Sequence, residues 1–341
     1  NREAEYNYVA RTKQAPPPNR DLLRANPNWN VFQAADRSGY SNTHLGQIEI
    51  ERRFSNGLAL QWFYVYTRSL TTTDQGGFTS GNVGINSGGG GGMVPENIQL
   101  FNAPNLSYDQ RLRLVYFNST NVPPHRIRYN GIYELPFGSG KKFMSGASKP
   151  MNTLVGGWQV SFIGEWRSGF WSGIDPSLFV FGDPTLSADQ RVELTLNKTR
   201  QRLWFRGDFD PTGATNVTGG DLTTLVPADR SKRLVRPLGA SFNNRLPQTL
   251  ADGTIRNTEI RELYNPSPRA FFLGPGAWNV DMGVYKNFKI KENLMTRFSA
   301  DFFNAFNHPV DVAPSASTGL QNLERQANNP RTIQFSFRIE F

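Results

Sequence analysis

The sequence predicts an all-β protein, and within that class a transmembrane antiparallel β-barrel of about eight strands with long extracellular loops. Three observations carry this. Apolar and polar residues alternate with period two along many segments, while helical periodicity is almost absent. No run of about 18 apolar residues exists, which excludes a helical membrane span but not a barrel, whose strands hide apolar residues at every second position. Short turns also alternate with very long polar connections, and a compact soluble domain rarely carries the latter.

Taken in chain order, residues 2–10 and 126–135 are weaker strand candidates. Ile48, Ile50 and Phe54 alternate with Gln47, Glu49, Glu51 and Arg53. Ser55-Asn56-Gly57 marks a tight hairpin turn. Leu58, Leu60, Trp62, Tyr64 and Tyr66 follow as the next alternating set. Residues 70–106 form a long loop containing the glycine run 88–92. Trp158, Val160, Phe162 and Trp166 alternate with Gln159, Ser161, Glu165 and Arg167. After the long connection 171–277, Val280, Met282 and Val284 alternate with Asp281 and Gly283, and Phe298, Ala300 and Phe302 with Arg297, Ser299 and Asp301. The last strand sets Ile333, Phe335, Phe337, Ile339 and Phe341 against Gln334, Ser336, Arg338 and Glu340.

Counting crossings fixes the expected topology. With 55–57 and 287–293 as turns on one side and 70–106 and 171–277 on the other, residues 107–136 supply a single crossing, at 126–136. Pro123-Pro124 interrupts the ladder above it. Any strands within 171–277 are expected to come in pairs and to stay outside the membrane.

Several segments together resemble one family. YELPFGSGKKF at 133–143, LVGGWQVSFIGEWRSG at 154–169, HLGQIEIERRFSNGLALQWFYVYTRSL at 44–70, LGPGAWNVDMGVYKNFKIKENLMTRFSADFFNAFNHP at 273–309 and PRTIQFSFRIEF at 330–341 are similar to the C-terminal part of Oar-like TonB-dependent receptors. The resemblance implies the bacterial outer membrane, a barrel of about 22 strands, an N-terminal plug and a TonB box. It thus casts residues 1–341 as the C-terminal portion of such a barrel, with plug and TonB box outside this chain and the TonB complex engaged through a region upstream. Residues 171–272 match the family poorly. Phe335, Phe337, Ile339 and Phe341 resemble the terminal signal read by the barrel-assembly machinery.

On the barrel reading, Glu49, Glu51, Arg53, Arg126, Arg128, Glu165, Arg167, Asp281, Arg297, Asp301, Arg338 and Glu340 face the lumen, because facing lipid at mid-depth each would cost up to a few kcal/mol. Their mixed signs suit cross-strand pairing. Little other chemistry is legible. The absence of cysteine excludes a disulfide framework and thiol catalysis. His44, His125 and His308 form no two-His zinc motif, GSGKK at 138–142 lacks phosphate-loop spacing, and GDFDPTG at 207–213 lacks the further acidic ligands of a calcium loop and reads as a solvated loop. No cofactor, metal or enzymatic activity is expected. The net charge of +9 is scattered among acidic residues, which argues against nucleic acid. Three functions remain open: a receptor and transporter component, a structural barrel or scaffold subunit without transport, and a secreted β-sandwich binding module.

Overall fold

The computed structural model describes residues 2–23, 28, 41–71, 107, 109, 110, 113, 116–175, 178–237, 245–259, 271–291 and 294–340. Seven long strands build one antiparallel sheet: β1 (Ser41–Ser55), β2 (Leu58–Thr71), β3 (His125–Glu134), β4 (Trp158–Arg167), β5 (Ala277–Lys291), β6 (Leu294–Phe303) and β7 (Thr332–Glu340). Each pairs with its neighbour in the chain, giving a simple meander. The two-residue strand Phe117–Asn118 adds an eighth member against the upper end of β2. β1 and β7 form the two edges, so the sheet is open.

The alternation dictates the register. Ile50 opposes Trp62, Trp62 opposes Tyr129, Ile127 opposes Trp166, and Trp166 opposes Trp278. Met282 then opposes Phe302, and Phe298 opposes Phe337. Slipping any strand by one residue would transfer its aromatics to the polar side, so the pattern fixes the pairing. Between β1 and β2, Asn56 (φ 53°) and Gly57 (φ 79°) make the two-residue turn whose left-handed residues match the twist of the flanking strands. Bulges interrupt the β1–β2 ladder between Arg52 and Ser55 and the β5–β6 ladder between Lys289 and Lys291.

Among the described residues of 107–136, β3 alone is long enough to cross, as the count of crossings requires. Residues 109, 110 and 113 are helical, Phe117–Asn118 only extends the edge of β2, and β3 crosses alone. Most of the 70–106 loop lies outside the described residues, as does Phe341.

Residues 2–10 are a correction: they belong to a helix, α1 (Arg2–Thr12), not a strand. The period-two spacing of Tyr6 and Tyr8 misleads, because the buried pair is Tyr6 and Val9, three apart on one helical face. α1 packs on the hairpin formed by Arg245–Thr249 and Ile255–Glu259. Gln248 donates to the Tyr6 carbonyl at 2.8 Å, and Arg256 pairs with Glu5.

The described residues of the 171–277 connection fold into a cap. Trp171–Ser172 pairs with Phe272–Leu273, and Leu178–Val180 with Val235–Pro237. A four-stranded sheet joins Glu193–Leu196, Thr199–Leu203 and Thr215–Thr218 to Leu320–Asn322, which comes from the segment between β6 and β7. None of these strands is long enough to cross a bilayer. Leu186, Val192, Leu194, Leu203, Phe209, Leu222, Val226 and Leu320 form one core; Ile174, Val180, Trp204, Phe205 and Val235 form a second. Among the described residues, most of the fully buried side chains lie in this cap, while the sheet offers its faces outward.

Candidate functional site

The sheet sorts its side chains by register onto two faces. One carries Ile48, Ile50, Trp62, Trp166, Val280, Phe298, Phe335 and Phe337. Phe335 and Phe337 are 68% and 64% exposed, an apolar surface that a water-soluble protein would cover. Among the described residues no second sheet packs on it, which counts against the sandwich reading. Phe335, Phe337 and Ile339 lie on this face opposite Ala300, Phe298 and Thr296.

The opposite face brings most of the anticipated charges together. Glu165 accepts from Arg126 Nη2 at 3.0 Å and from Arg128 Nε at 2.8 Å, a bridge from β4 to β3. Arg167 opposes Arg126 at the upper end of the same pair. Glu51 opposes Gln61, and Glu49 opposes Phe63. Asp281 accepts from the side-chain amide of Asn279 at 2.9 Å and from the backbone N–H of Asn304 at 2.8 Å. That carboxylate therefore shapes the turn leaving β6. Asp301 accepts from Ser299, whose hydroxyl also meets Ser336 at 2.7 Å. Arg297 and Arg338 oppose each other directly, a repulsive placement. Arg297 stacks instead over the Tyr285 ring, 4.2 Å from its centroid.

Two of the anticipated residues have no side assigned by the ladder. Arg53 falls within the bulge between Arg52 and Ser55. Glu340 pairs in register with Met295, but its side chain lies outside the described residues.

The alternation did not announce an apolar patch set within the polar face. Leu45, Phe63, Val65 and Pro123, with Arg126 and Arg128, line a cavity of about 450 Å³ near the cap end. Phe63 and Val65 sit at positions that the polar partners Gln61 and Thr67 would assign to the hydrophilic side, and that mismatch is its sequence signal.

Asp208 corrects the solvated-loop reading. It is only 4% exposed, and Arg233, itself 6% exposed, donates to it at 2.9 Å. Arg233 also donates to the carbonyls of Pro227 and Ala228, and Arg230 closes the other side of the carboxylate. Asp210 accepts from the backbone N–H and hydroxyl of Thr212, in a local turn. His125 shares a 2.8 Å hydrogen bond with Tyr64, and His308 lies against Trp278. Among the described residues no group of His, Asp and Glu converges in a metal-binding arrangement. GSGKK forms a turn, where Lys141 N–H donates to Gly138.

A family model described as "outer membrane beta barrel domain" matches residues 1–334. No curated protein and no solved structure matches the chain.

Proposed function

The chain belongs to the outer membrane beta barrel domain family and resides in the bacterial outer membrane, and on that premise we propose that it forms part of the wall of a larger receptor and transporter barrel of the TonB-dependent kind. The observation that supports this best is a sheet with one largely apolar and one largely polar face and two open edges, β1 and β7. In hydrocarbon each unpaired edge group costs several kcal/mol, so a seven-crossing meander needs further strands. On this reading the face carrying Glu165, Arg126, Arg128, Asp281, Arg297, Asp301 and Arg338 lines the lumen. The apolar cavity at Phe63 and Val65 receives a plug, and the cap meets a large substrate. The exposed, aromatic strand β7 is the segment offered to the barrel-assembly machinery.

A structural wall without transport is the second reading. The specific observation in its favour is that Arg126 and Arg128 both pair with Glu165 within the wall itself. Cells producing the complete receptor separate the two. A panel of fluorescent peptides, proteins and glycans is applied with and without an uncoupler of the inner-membrane gradient. Surface binding that persists while internalisation stops supports transport. Binding by no panel member, together with a leaky envelope on deletion of the gene, supports the structural wall.

A further inference from the structure

Residues 135–157, which join β3 to β4, contain Lys141, Lys142 and Lys149 and no Asp or Glu. They lie at the end of the sheet that carries the tight turns, which in an outer-membrane barrel is the periplasmic end. Their helix, α2 (Lys149–Val155), is tied to the apolar face of the wall by one residue of β5.

That residue is Lys286. Register places it on the apolar face, opposite Trp158 on one side and Phe298 on the other. A lysine facing lipid is costly, yet this one is only 2% exposed. Its ammonium donates to the carbonyl of Thr153 and, at 2.7 Å, to that of Leu154. These are carbonyls of the last turn of α2, where a cation is favoured. The rings of Trp158 and Phe288 flank it at 5.1 and 5.0 Å, and Trp158 Nε1 also donates to Leu154 at 3.0 Å. The connector is therefore pinned outside the wall, level with the lower rim of the apolar belt.

Held there, it displays Phe143, Met151 and Leu154, the last 69% exposed, beside the exposed ammonium groups of Lys142 and Lys149. Lys141 is engaged with Glu134 at 3.1 Å. Apolar side chains continuous with a lipid-facing belt, bordered by lysines and free of carboxylates, have the chemistry of a segment lying in a membrane interface. We propose that this connector is an interfacial anchor that binds anionic phospholipid in the periplasmic leaflet, with Lys142 and Lys149 on the headgroup phosphate and Met151 and Leu154 among the acyl chains. This rests on the outer-membrane location and is independent of the transport reading.

The test uses the complete protein in detergent, titrated with phosphatidylglycerol or with phosphatidylcholine, bound lipid being read by native mass spectrometry. The expected result is a preference for phosphatidylglycerol that falls roughly tenfold in Lys142→Glu/Lys149→Glu and stays unchanged in Lys232→Gln, a change confined to the cap. If charge reversal prevents assembly, Lys142→Gln/Lys149→Gln is compared at equal folded yield, with a loss of several-fold expected. Equal retention of the two lipids by the unaltered protein, or a preference surviving both double variants, overturns the proposal. So does cross-linking of this connector to a periplasmic protein in place of lipid.

Discussion

Trp204 donates its indole N–H to the side-chain carbonyl of Gln321 at 2.8 Å, and Gln321 is 0% exposed. The amide of Gln321 in turn donates to the Val312 carbonyl at 3.0 Å. These contacts, with the pairing of Leu320–Asn322 to Thr199–Leu203, make one cap from two segments that leave the sheet at different strands. Gln321→Leu keeps the volume and removes both hydrogen bonds, leaving a buried donor and acceptor unmet. The expected loss is about 1–3 kcal/mol of cap stability. Protease resistance of the cap, followed in the folded membrane protein, measures it. Unchanged resistance would contradict a role for this bond in joining the segments.

The Asp208 cluster gives a second expectation. Arg233→Ala strands a carboxylate that is almost wholly buried, with only Arg230 left to compensate it. Removing one partner of a buried pair costs about 3–5 kcal/mol, and the remaining arginine places this case at the low end. Asp208→Leu combined with Arg233→Met is expected to cost less than Arg233→Ala alone. Thermal melting of the cap checks the order of the two, and the reverse order would refute the pairing.

Acid should act on the cap by a different route. The hydroxyl of Thr224, followed by the hydroxyl and backbone N–H of Thr223, holds the Asp221 carboxyl below the usual aspartate range. The Ser231 hydroxyl and backbone N–H do the same for Asp229, and the Thr212 N–H and hydroxyl for Asp210. Lowered folded-state values mean that the stabilisation is complete above the ordinary aspartate pKa of about 3.9 and disappears as pH falls through the lowered values. Near-ultraviolet circular dichroism of the folded protein is expected to hold steady from pH 7 to about pH 4 and to decline below it. A decline beginning near pH 6 would point to other groups.

The wall was legible in the sequence because its period-two pattern and the Asn56-Gly57 turn are local, and together they leave one register for each strand. The cap was not. Its strands run two to five residues, too short to show a period, and partners such as Trp204 and Gln321 lie far apart in the chain. α1 was misread because Tyr6 and Tyr8 imitate a strand, whereas the packing uses Tyr6 and Val9. Lys286 was visible as a break in the run Val280, Met282, Val284. Its partners are backbone carbonyls of a helix that no side-chain pattern announces.

On the apolar face, β3 and β4 interlock through a reciprocal pair. Tyr129 opposes Gly164, and Phe162 opposes Gly131. A Cβ added to Gly164 would lie 2.2 Å from the Tyr129 ring, and one added to Gly131 would lie 2.6 Å from Phe162. Each ring thus covers the bare backbone of the facing strand. Gly164→Val is expected to push Tyr129 off its seat and cost about 1–3 kcal/mol, while Gly164→Val with Tyr129→Ala recovers part of the loss. Denaturant unfolding of the two variants tests this. Equal stability of the single variant and the parent would show that the ring has somewhere else to go.

The sidedness of the wall is the most general expectation, and the Phe298–Phe337 and Arg297–Arg338 pairs make it specific. They are adjacent rungs of one ladder, on the same two strands and one residue apart in depth, and they occupy opposite faces. Differences in assembly between them therefore report chiefly the face, since strand and depth are nearly matched. Phe337→Arg places a charge on the face assigned to lipid, at a cost of about 2–4 kcal/mol near the bilayer midplane. Arg338→Phe removes a charge from the other face and should leave the yield of folded protein close to that of the parent. The same contrast is expected on β4 between Trp166→Arg and Glu165→Gln. Heat-modifiable mobility of outer-membrane fractions measures folded yield for all four variants. Equal yields for Phe337→Arg and Arg338→Phe would reject the assignment of faces, and with it the lumen. A low yield for Glu165→Gln, beside a normal one for Arg338→Phe, would instead single out the Arg126–Glu165–Arg128 bridge as the clamp between β3 and β4.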